Sequence, residues 1–425
     1  MRKAVFMLLL VVIGFVAQAA AAESPKKIID RYKKASGGNK VSRIKSTLMS
    51  GSVKSTDGAS GRFLYRASGP DRLRVDIEIG NAKVSECYNG KSAWRLDGRG
   101  LRTLLGAEAK RLRLEALIAN TRLRDLSRYR IVPQPVVKAA VEGREANAIE
   151  MALGDARVKL FFDAASHLLL KQERATADGD QEIFYGDYRA VDGVMEPFSL
   201  RMKSAAGELL ITMDRVEHNA APEAAAFLYP QVEGAKPLPD VETLMREMIA
   251  NQEKIEELRE QYTFRETETE NKLDGDGRIK ESETRVYEVT PVAGEFVRRL
   301  VSVNGRPLSA EELEKQDRQA QKEVEEALKR QEKRRKEREQ KRERVGGEDA
   351  DDERSVTILS FLKASEITSV RREVFRGQEV IAFDFEPRKG FKPKSRLENL
   401  ISKLAGTMWV DETAKQVARL EARLT

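Results

Sequence analysis

The stretch from Gly61 to Leu96 limits the fold more than any other part of the chain. Within it Leu73, Val75, Ile77 and Ile79 alternate with Arg72, Arg74, Asp76 and Glu78. That is the period of a β-strand with one apolar and one wet face. Phe63 and Tyr65 mark a preceding strand of the same kind, and Gly69-Pro70-Asp71 supplies the turn between the two. Gly80-Asn81 and Asn89-Gly90 reverse the chain into further short strands over 84–88 and 93–96. The stretch therefore predicts an antiparallel meander, and its apolar face needs a cover.

The 425 residues suffice for two or three domains with real cores. Residues 1–22 read as a signal peptide rather than as part of the fold. Arg2 and Lys3 precede an apolar run over 5–16, and Ala20-Ala21-Ala22 offers a cleavage site before Glu23. The run is short for a bilayer span. The expected setting is a bacterial periplasm, reached by export and cleavage. The single cysteine, Cys87, excludes an internal disulfide and reads as a small buried hydrophobe on a strand. A net charge of +7 is modest for this length, and acids and bases are interspersed, so no nucleic-acid surface is indicated.

A helix is expected over 24–35, with Ile28, Ile29 and Tyr32 on one face, and a strand over 43–53. Residues 108–123 read as a second helix. Leu112, Leu114, Leu117 and Ile118 form its apolar stripe, while Arg111, Arg113 and Glu115 are expected to point away. Strands follow over 146–153, 157–162, 168–174, 182–188, 197–203 and 208–217, and Phe227 closes the domain. Lys236-Pro237-Leu238-Pro239 reads as a linker. Asp240 then caps a helix carrying Leu244, Met248, Ile255 and Leu258. A hairpin is expected around Asp274-Gly275-Asp276-Gly277, followed by a strand over 296–303. Ser309 and Glu312 make a capping box for a long, densely charged helix, expected to stand in solvent. Beyond it, strands are expected to resume near Val380.

The chain also repeats itself. Residues 158–176 align with 406–424 without gaps, setting Phe161-Phe162-Asp163 against Trp409-Val410-Asp411, Lys171 against Arg419 and Glu173 against Glu421. Residues 148–151 and 381–385 are similar strands upstream. In the first unit three more strands follow the repeated hairpin. The second reaches Thr425 directly after its copy, so 417–424 is expected to present an open edge. Either the natural protein continues or the missing strands come from elsewhere.

No constellation for chemistry stands out. His167 and His218 are the only histidines, and neither sits in a metal or triad pattern. The Asp274–Gly277 run lacks the later ligands of a calcium loop, and phosphate loops, nucleophile elbows and paired cysteines are missing. The expectation is no catalytic residue, no metal and no cofactor.

Several segments resemble the outer-membrane lipoprotein-sorting (LolA-like) family. They are Phe63-Leu64-Tyr65-Arg66, Pro70-Asp71-Arg72-Leu73-Arg74, Tyr88-Asn89-Gly90-Lys91 with Trp94, and Tyr188-Arg189-Ala190-Val191-Asp192-Gly193-Val194 with Pro197, Phe227 and Pro230. The second unit is similar mainly through 406–424. The place before the turn proline, basic in carriers of this family, holds Ser68 and Gly69 here.

The resemblance implies an α+β fold of two incomplete, curved antiparallel β-barrels with helices on the concave face, plus the long charged helix inserted in the second. Residues 23–232 would form one LolA-like half-barrel and 233–239 a linker. Residues 240–425 would form a second such domain, incomplete, with the charged insertion at 309–353. The implied function is binding or carriage of lipid or lipoprotein acyl chains in an apolar cavity. The alternative is an envelope sensor or scaffold of RseB-like type, acting through a protein partner. The expected cavity lining is Phe63, Tyr65, Leu73, Val75, Ile77, Trp94, Leu114, Leu117 and Ile118. Burial alone would hold such a chain, at about 0.8 kcal/mol per methylene.

Overall fold

The computed structural model describes residues 23–220, 224–232, 234–259, 261–273, 279–344, 361, 363–393 and 396–425. The segments expected to form the signal peptide, the turn at Asp274–Gly277 and the end of the charged insertion lie outside the described residues. The fold is mostly antiparallel sheet with few helices. No helix among the described residues is long and apolar enough to cross a membrane.

The chain opens with α1 (Pro25–Ala35), whose proline occupies the first turn, where its missing N–H costs nothing. Then come β1 (Ser46–Ser55), β2 (Ser60–Ser68), β3 (Arg72–Ile79), β4 (Ala82–Asn89), β5 (Ala93–Asp97), β6 (Gly100–Leu104) and α2 (Gly106–Thr121). Eight strands follow: β7 (Val132–Pro133), β8 (Val137–Val141), β9 (Arg144–Leu153), β10 (Ala156–Asp163), β11 (Leu169–Thr176), β12 (Gly179–Val191), β13 (Val194–Ser204) and β14 (Gly207–His218). The later part holds α3 (Val241–Arg259), β15 (Phe264–Leu273), β16 (Ile279–Val292), β17 (Glu295–Val303), β18 (Arg306–Pro307), α4 (Ala310–Arg344), β19 (Ser365–Phe375), β20 (Gln378–Pro387), α5 (Arg396–Ile401), β21 (Leu404–Asp411) and β22 (Gln416–Leu424).

Packing divides the molecule into two units that do not follow sequence order. The first holds residues up to 73, 77–80 and 110–222; the second holds 74–76, 81–109 and everything from 223. The physical reason lies in the ribbon β4-β5-β6. It buries Cys87, Trp94 and Leu101 against Phe227, and Thr103 of β6 gives its N–H to Glu373 of β19 at 3.0 Å.

In the first unit the strand order is β3-β2-β1-β14-β13-β12-β11-β10-β9-β7, with β8 also on β9. The path is open. In the second unit two further sheets run β15-β16-β17-β18 and β19-β20-β21-β22. The strand β19 starts well before Val380, where strands were expected to resume. Its Arg371, Arg372 and Glu373 are charged in succession, yet all three are buried, and Glu373 accepts the Trp409 indole N–H at 2.8 Å. β22 is an edge strand, with Val417, Leu420 and Leu424 exposed.

The charged helix differs from its expectation too. Its capping box forms, with Ser309 N–H on Glu312 at 2.8 Å. It does not stand free: α4 lies along β17 and β16, Ala327 is 1% exposed, Arg330 reaches Glu295 at 2.8 Å and Arg299 reaches Asp317.

The repeat extends further than the aligned hairpins. Val137↔Ala148 and Val141↔Arg144 on β8–β9 match Arg371↔Ala382 and Phe375↔Gln378 on β19–β20. Val158↔Arg174 on β10–β11 matches Gly406↔Ala422 on β21–β22, and both hairpins slip by one residue at the same place, after Phe161 and after Trp409. The turns agree as well. Glu142-Gly143 and Arg376-Gly377 each hold two successive positive φ angles, the two-residue hairpin that suits strand twist. Even β7 has its match, since Pro133↔Met151 corresponds to Ile367↔Phe385.

Candidate functional site

Residues directly opposite across neighbouring strands share a face, as do alternate residues along one strand. Ile149, Leu160, Gln172, Ile183 and Met202 form one such row across β9 to β13. Val53, Ile211, Leu200 and Tyr185 form a second across β1, β14, β13 and β12. Met49 faces Tyr65, and Gly51 faces Phe63, on β1 and β2. These rows belong to one continuous face of the first unit.

At the β9–β10 end that face is sealed. Ile28 and Ile29 of α1 and Leu114 and Leu117 of α2 pack on Ile149, Met151, Val158, Leu160 and Phe162, with Tyr32 and Ile118 at the margin. Further along, Val53, Phe63, Ile211 and Met213 are buried, whereas Tyr65, Tyr185, Leu200 and Met202 keep part of their surface open.

Helix α2 is fastened by polar contacts as much as by packing. It is buried nearly all round, and Arg111 and Glu115, expected to point away, lie inside with Leu112, Leu114 and Leu117. The cause is an ion-pair relay: Arg111 donates to Glu115 at 2.7 Å, and Arg174 of β11 closes on the same carboxylate. Asn120 donates to the Arg72 carbonyl at 2.9 Å. Just past the helix, Arg122 and Leu123 adopt left-handed backbone at φ 52° and 60°, a conformation unfavourable for side-chain-bearing residues. That twist aims the Arg122 guanidinium at Glu196.

Glu196 is the centre of a buried polar cluster. Its side chain is 0% exposed, and Arg122 grips it with two N–H bonds at 2.6 and 3.1 Å. His218 Nε2 lies 2.8 Å from the same carboxylate, and Nδ1 lies 3.2 Å from Asp192. Burial would push the Glu196 carboxyl up, but Arg122 and His218 outweigh it and hold the group below the usual carboxylate range. Four tyrosines surround this cluster and the Glu115 relay. Burial raises the phenols of Tyr32, Tyr65, Tyr185 and Tyr188, so all four remain protonated donors. Tyr188 gives its proton to the Leu169 carbonyl at 2.8 Å and Tyr185 to Gln172 at 3.2 Å.

The structure distributes the residues that sequence placed in one lining. Phe63 and Tyr65 lie on the traced face, and Leu114, Leu117 and Ile118 in the helix cluster. Leu73 is buried and Ile77 half-buried in the first unit. Val75 falls in the 74–76 segment that packs with the second unit. Trp94 also belongs there, fully buried with Cys87, Leu101 and Phe227, its N–H on the Phe227 carbonyl at 3.3 Å and Arg74 over its ring. Asp76, expected on the wet face, is buried and accepts from Arg74 and from Ser85. Sequence reasoning missed Arg122, Glu196, His218 and the three tyrosines Tyr32, Tyr185 and Tyr188 as site residues. The available signal was a lone acid in the apolar Val194-Met195-Glu196-Pro197 run. Among the described residues no group of His, Cys, Asp and Glu is arranged to hold a metal ion.

No sequence-family model matches the chain, and no curated protein does. Its structure is similar to that of a LolA superfamily protein from Nitrosomonas europaea, at 14% identity and a TM-score of 0.34, over 49% of this chain and 99% of that one. It is similar to an outer membrane lipoprotein-sorting protein domain from Vibrio parahaemolyticus, at 13% identity and a TM-score of 0.30, over 47% of this chain and 94% of that one. A third likeness is to the MucA/MucB complex of Pseudomonas aeruginosa, at 11% identity and a TM-score of 0.16, over 62% of this chain and 75% of that one.

Proposed function

We propose that the first unit is a receptacle for the acyl chain of a lipid or lipoprotein in the periplasm, and that it acts by burial without catalysis. In this reading each unit is an incomplete, curved barrel, the helices α1 and α2 line its inner side, and residues 1–22 direct export. The observation that carries it is the continuous face of Val53, Phe63, Tyr65, Tyr185, Leu200 and Met202, whose outer members stay part-open beside a helix fastened by polar contacts. A wall of this kind gives an apolar guest surface to displace. The test is displacement of a fluorescent fatty-acid probe, with native mass spectrometry of protein purified from envelopes. Leu200→Glu is expected to weaken probe binding by about tenfold or more, because it buries a charge against the guest. Equal binding by the variant, with no lipid retained by the wild type, would sink the reading.

A second reading is an envelope sensor or scaffold that acts through a protein partner. Its support is the edge strand β22, which displays Val417, Leu420 and Leu424. Purification without lipid but with a stoichiometric protein would favour it.

A further inference from the structure

Acids and bases are interspersed over most of the chain, but not everywhere. Residues 24–45 and 122–130 hold twelve lysines and arginines against two aspartates, an excess larger than the net charge of +7 of the whole chain. The remainder is therefore slightly acidic.

The fold gathers these segments into one lobe of the first unit. Ile28 and Ile29 of α1 share a core cluster with Leu123 and Ile131, and Leu126 and Tyr129 pack at its margin. The turn Gly38–Arg43 is tied to them, because the Arg124 guanidinium donates to the Val41 carbonyl at 3.3 Å. The apolar side chains go inside and the cations are left outside. Arg31 and Lys33 are spent on Glu23 and Asp30, at 2.8 and 3.4 Å. Lys26, Lys27, Lys34, Arg43, Arg128 and Arg130 are all exposed, and among the described residues none of them meets a carboxylate within ion-pair distance. Elsewhere in the first unit Lys171, Arg174 and Arg201 each hold a carboxylate.

Helix stability does not account for two of these cations. Lys26 and Lys27 occupy the first turn of α1, which holds no acid. The partial positive charge at a helix start disfavours cations there. Lys33 and Lys34 lie in the last turn, where they suit the dipole. One end of α1 is thus explained by folding, and the other carries charge left over for a partner.

We propose that this lobe docks the first unit on a bilayer surface rich in anionic phospholipid headgroups. The cations stand exposed on a helix, a turn and a loop, an arrangement that meets many phosphates better than one bound anion. Lysine outnumbers arginine over 24–45, and its compact hydrated charge suits diffuse attraction rather than forked recognition of a single group. Val132, next to the buried Ile131, is 56% exposed and offers an apolar tip. A bilayer supplies both the dense negative charge and the apolar layer beneath it. The proposal goes beyond the receptacle reading and does not need it, since no guest enters the lobe.

The test is sedimentation of the chain from Glu23 onward with vesicles of phosphatidylcholine, alone or with about 30% phosphatidylglycerol, in about 50 mM and about 500 mM salt. Binding is expected to the anionic vesicles alone, and to be lost in the higher salt. Each charge near such a surface contributes about fivefold, so Lys26→Gln, Lys27→Gln and Arg130→Gln together should weaken binding about a hundredfold. Arg318→Gln, Lys322→Gln and Lys329→Gln remove the same charge from exposed positions of α4, and together should change it by less than about threefold. Circular dichroism checks that both variants fold, and the wild type's dependence on salt and headgroup tests the proposal without them. Equal binding to neutral vesicles, or equal losses in the two triple variants, would overturn it. So would capture of the protein by soluble polyglutamate with the anionic vesicles left alone, which would assign the lobe to an acidic protein. None of these results touches the fatty-acid probe experiment, so the docking surface and the receptacle stand or fall separately.

Discussion

The two copies of the repeat differ less in their strands than in what lies on each side of them. On one face the match is close. Ile28, Ile29 and Tyr32 of α1 sit over Ile149 and Leu160, as Leu244, Met245 and Met248 of α3 sit over Phe383 and Met408. On the other face the copies part. Ala139 and the exposed Val137 in the first correspond to Glu373 and Arg371 in the second. In the first copy that face holds Val141, Ala146, Ala148 and Phe161, with Lys171 4.5 Å above the Phe161 ring. In the second, Arg419 keeps the place of Lys171 near the Trp409 ring, but the face is covered. Leu105 packs on it, Arg371 stacks on Tyr229 at 3.6 Å, and Glu373 takes Thr103 and Trp409. One chassis therefore serves two surroundings, and a buried ion pair marks the copy whose outer face is closed as far as its outermost strand.

The largest expected effect tests that contrast. Glu373→Ala leaves Arg371 buried without its main partner and is expected to destabilise the second unit by about 3–5 kcal/mol, whereas Ala139→Glu at the matching half-open position changes the first unit by less than about 1 kcal/mol. Urea unfolding of both variants checks it; equal costs would mean the faces are not differently covered. The shared face gives the next effect. Leu160→Ala and Met408→Ala each open a core cavity and are expected to cost about 2–5 kcal/mol. Leu160, at 1% exposed against 6% for Met408, should cost more, and a reversed order would break the equivalence of the two helix seats.

Acid gives a smaller and more selective effect. The folded-state value of Glu196 is depressed, so its stabilisation is fully present above the ordinary carboxylate range. It is lost as pH falls through the lower folded value. The first unit should lose melting temperature on that descent, and Glu196→Gln should flatten the acid limb of the curve. An unchanged limb would mean that other carboxylates govern it. The smallest effect compares the two seats' helix starts. Asp240 accepts the Thr243 N–H at 2.8 Å, whereas Ser24 makes no such bond. Asp240→Ala should therefore shift melting slightly, and Ser24→Ala not measurably.

Sequence made the strands legible wherever alternation was clean, as along β2, β3 and the hairpin β10–β11. It failed where polar groups were buried in pairs. β19 was hidden because Arg371, Arg372 and Glu373 look like solvent-facing residues when taken one at a time, and Arg111 with Glu115 misled for the same reason. Partners such as Arg174 and Thr103 lie far away in the chain, and no local period announces them. The helix α4 was legible as a helix but not as a packed one, because Ala327 is a small apolar signal in a charged run. Half of the candidate site, Phe63 and Tyr65 with the α2 leucines, could be read from the chain. The Arg122–Glu196–His218 cluster could not, since its members come from three separate elements.

Cys87 is the chain's only cysteine. It is 0% exposed, and its thiol donates to the Phe227 carbonyl at 3.4 Å. A thiol reagent can capture it only while β4 and the 224–227 turn are apart. The rate at which a maleimide labels the native protein is therefore a clock for the transient openings of the second unit. Because no other sulfhydryl competes, that clock can be read on the whole molecule without engineering a single residue.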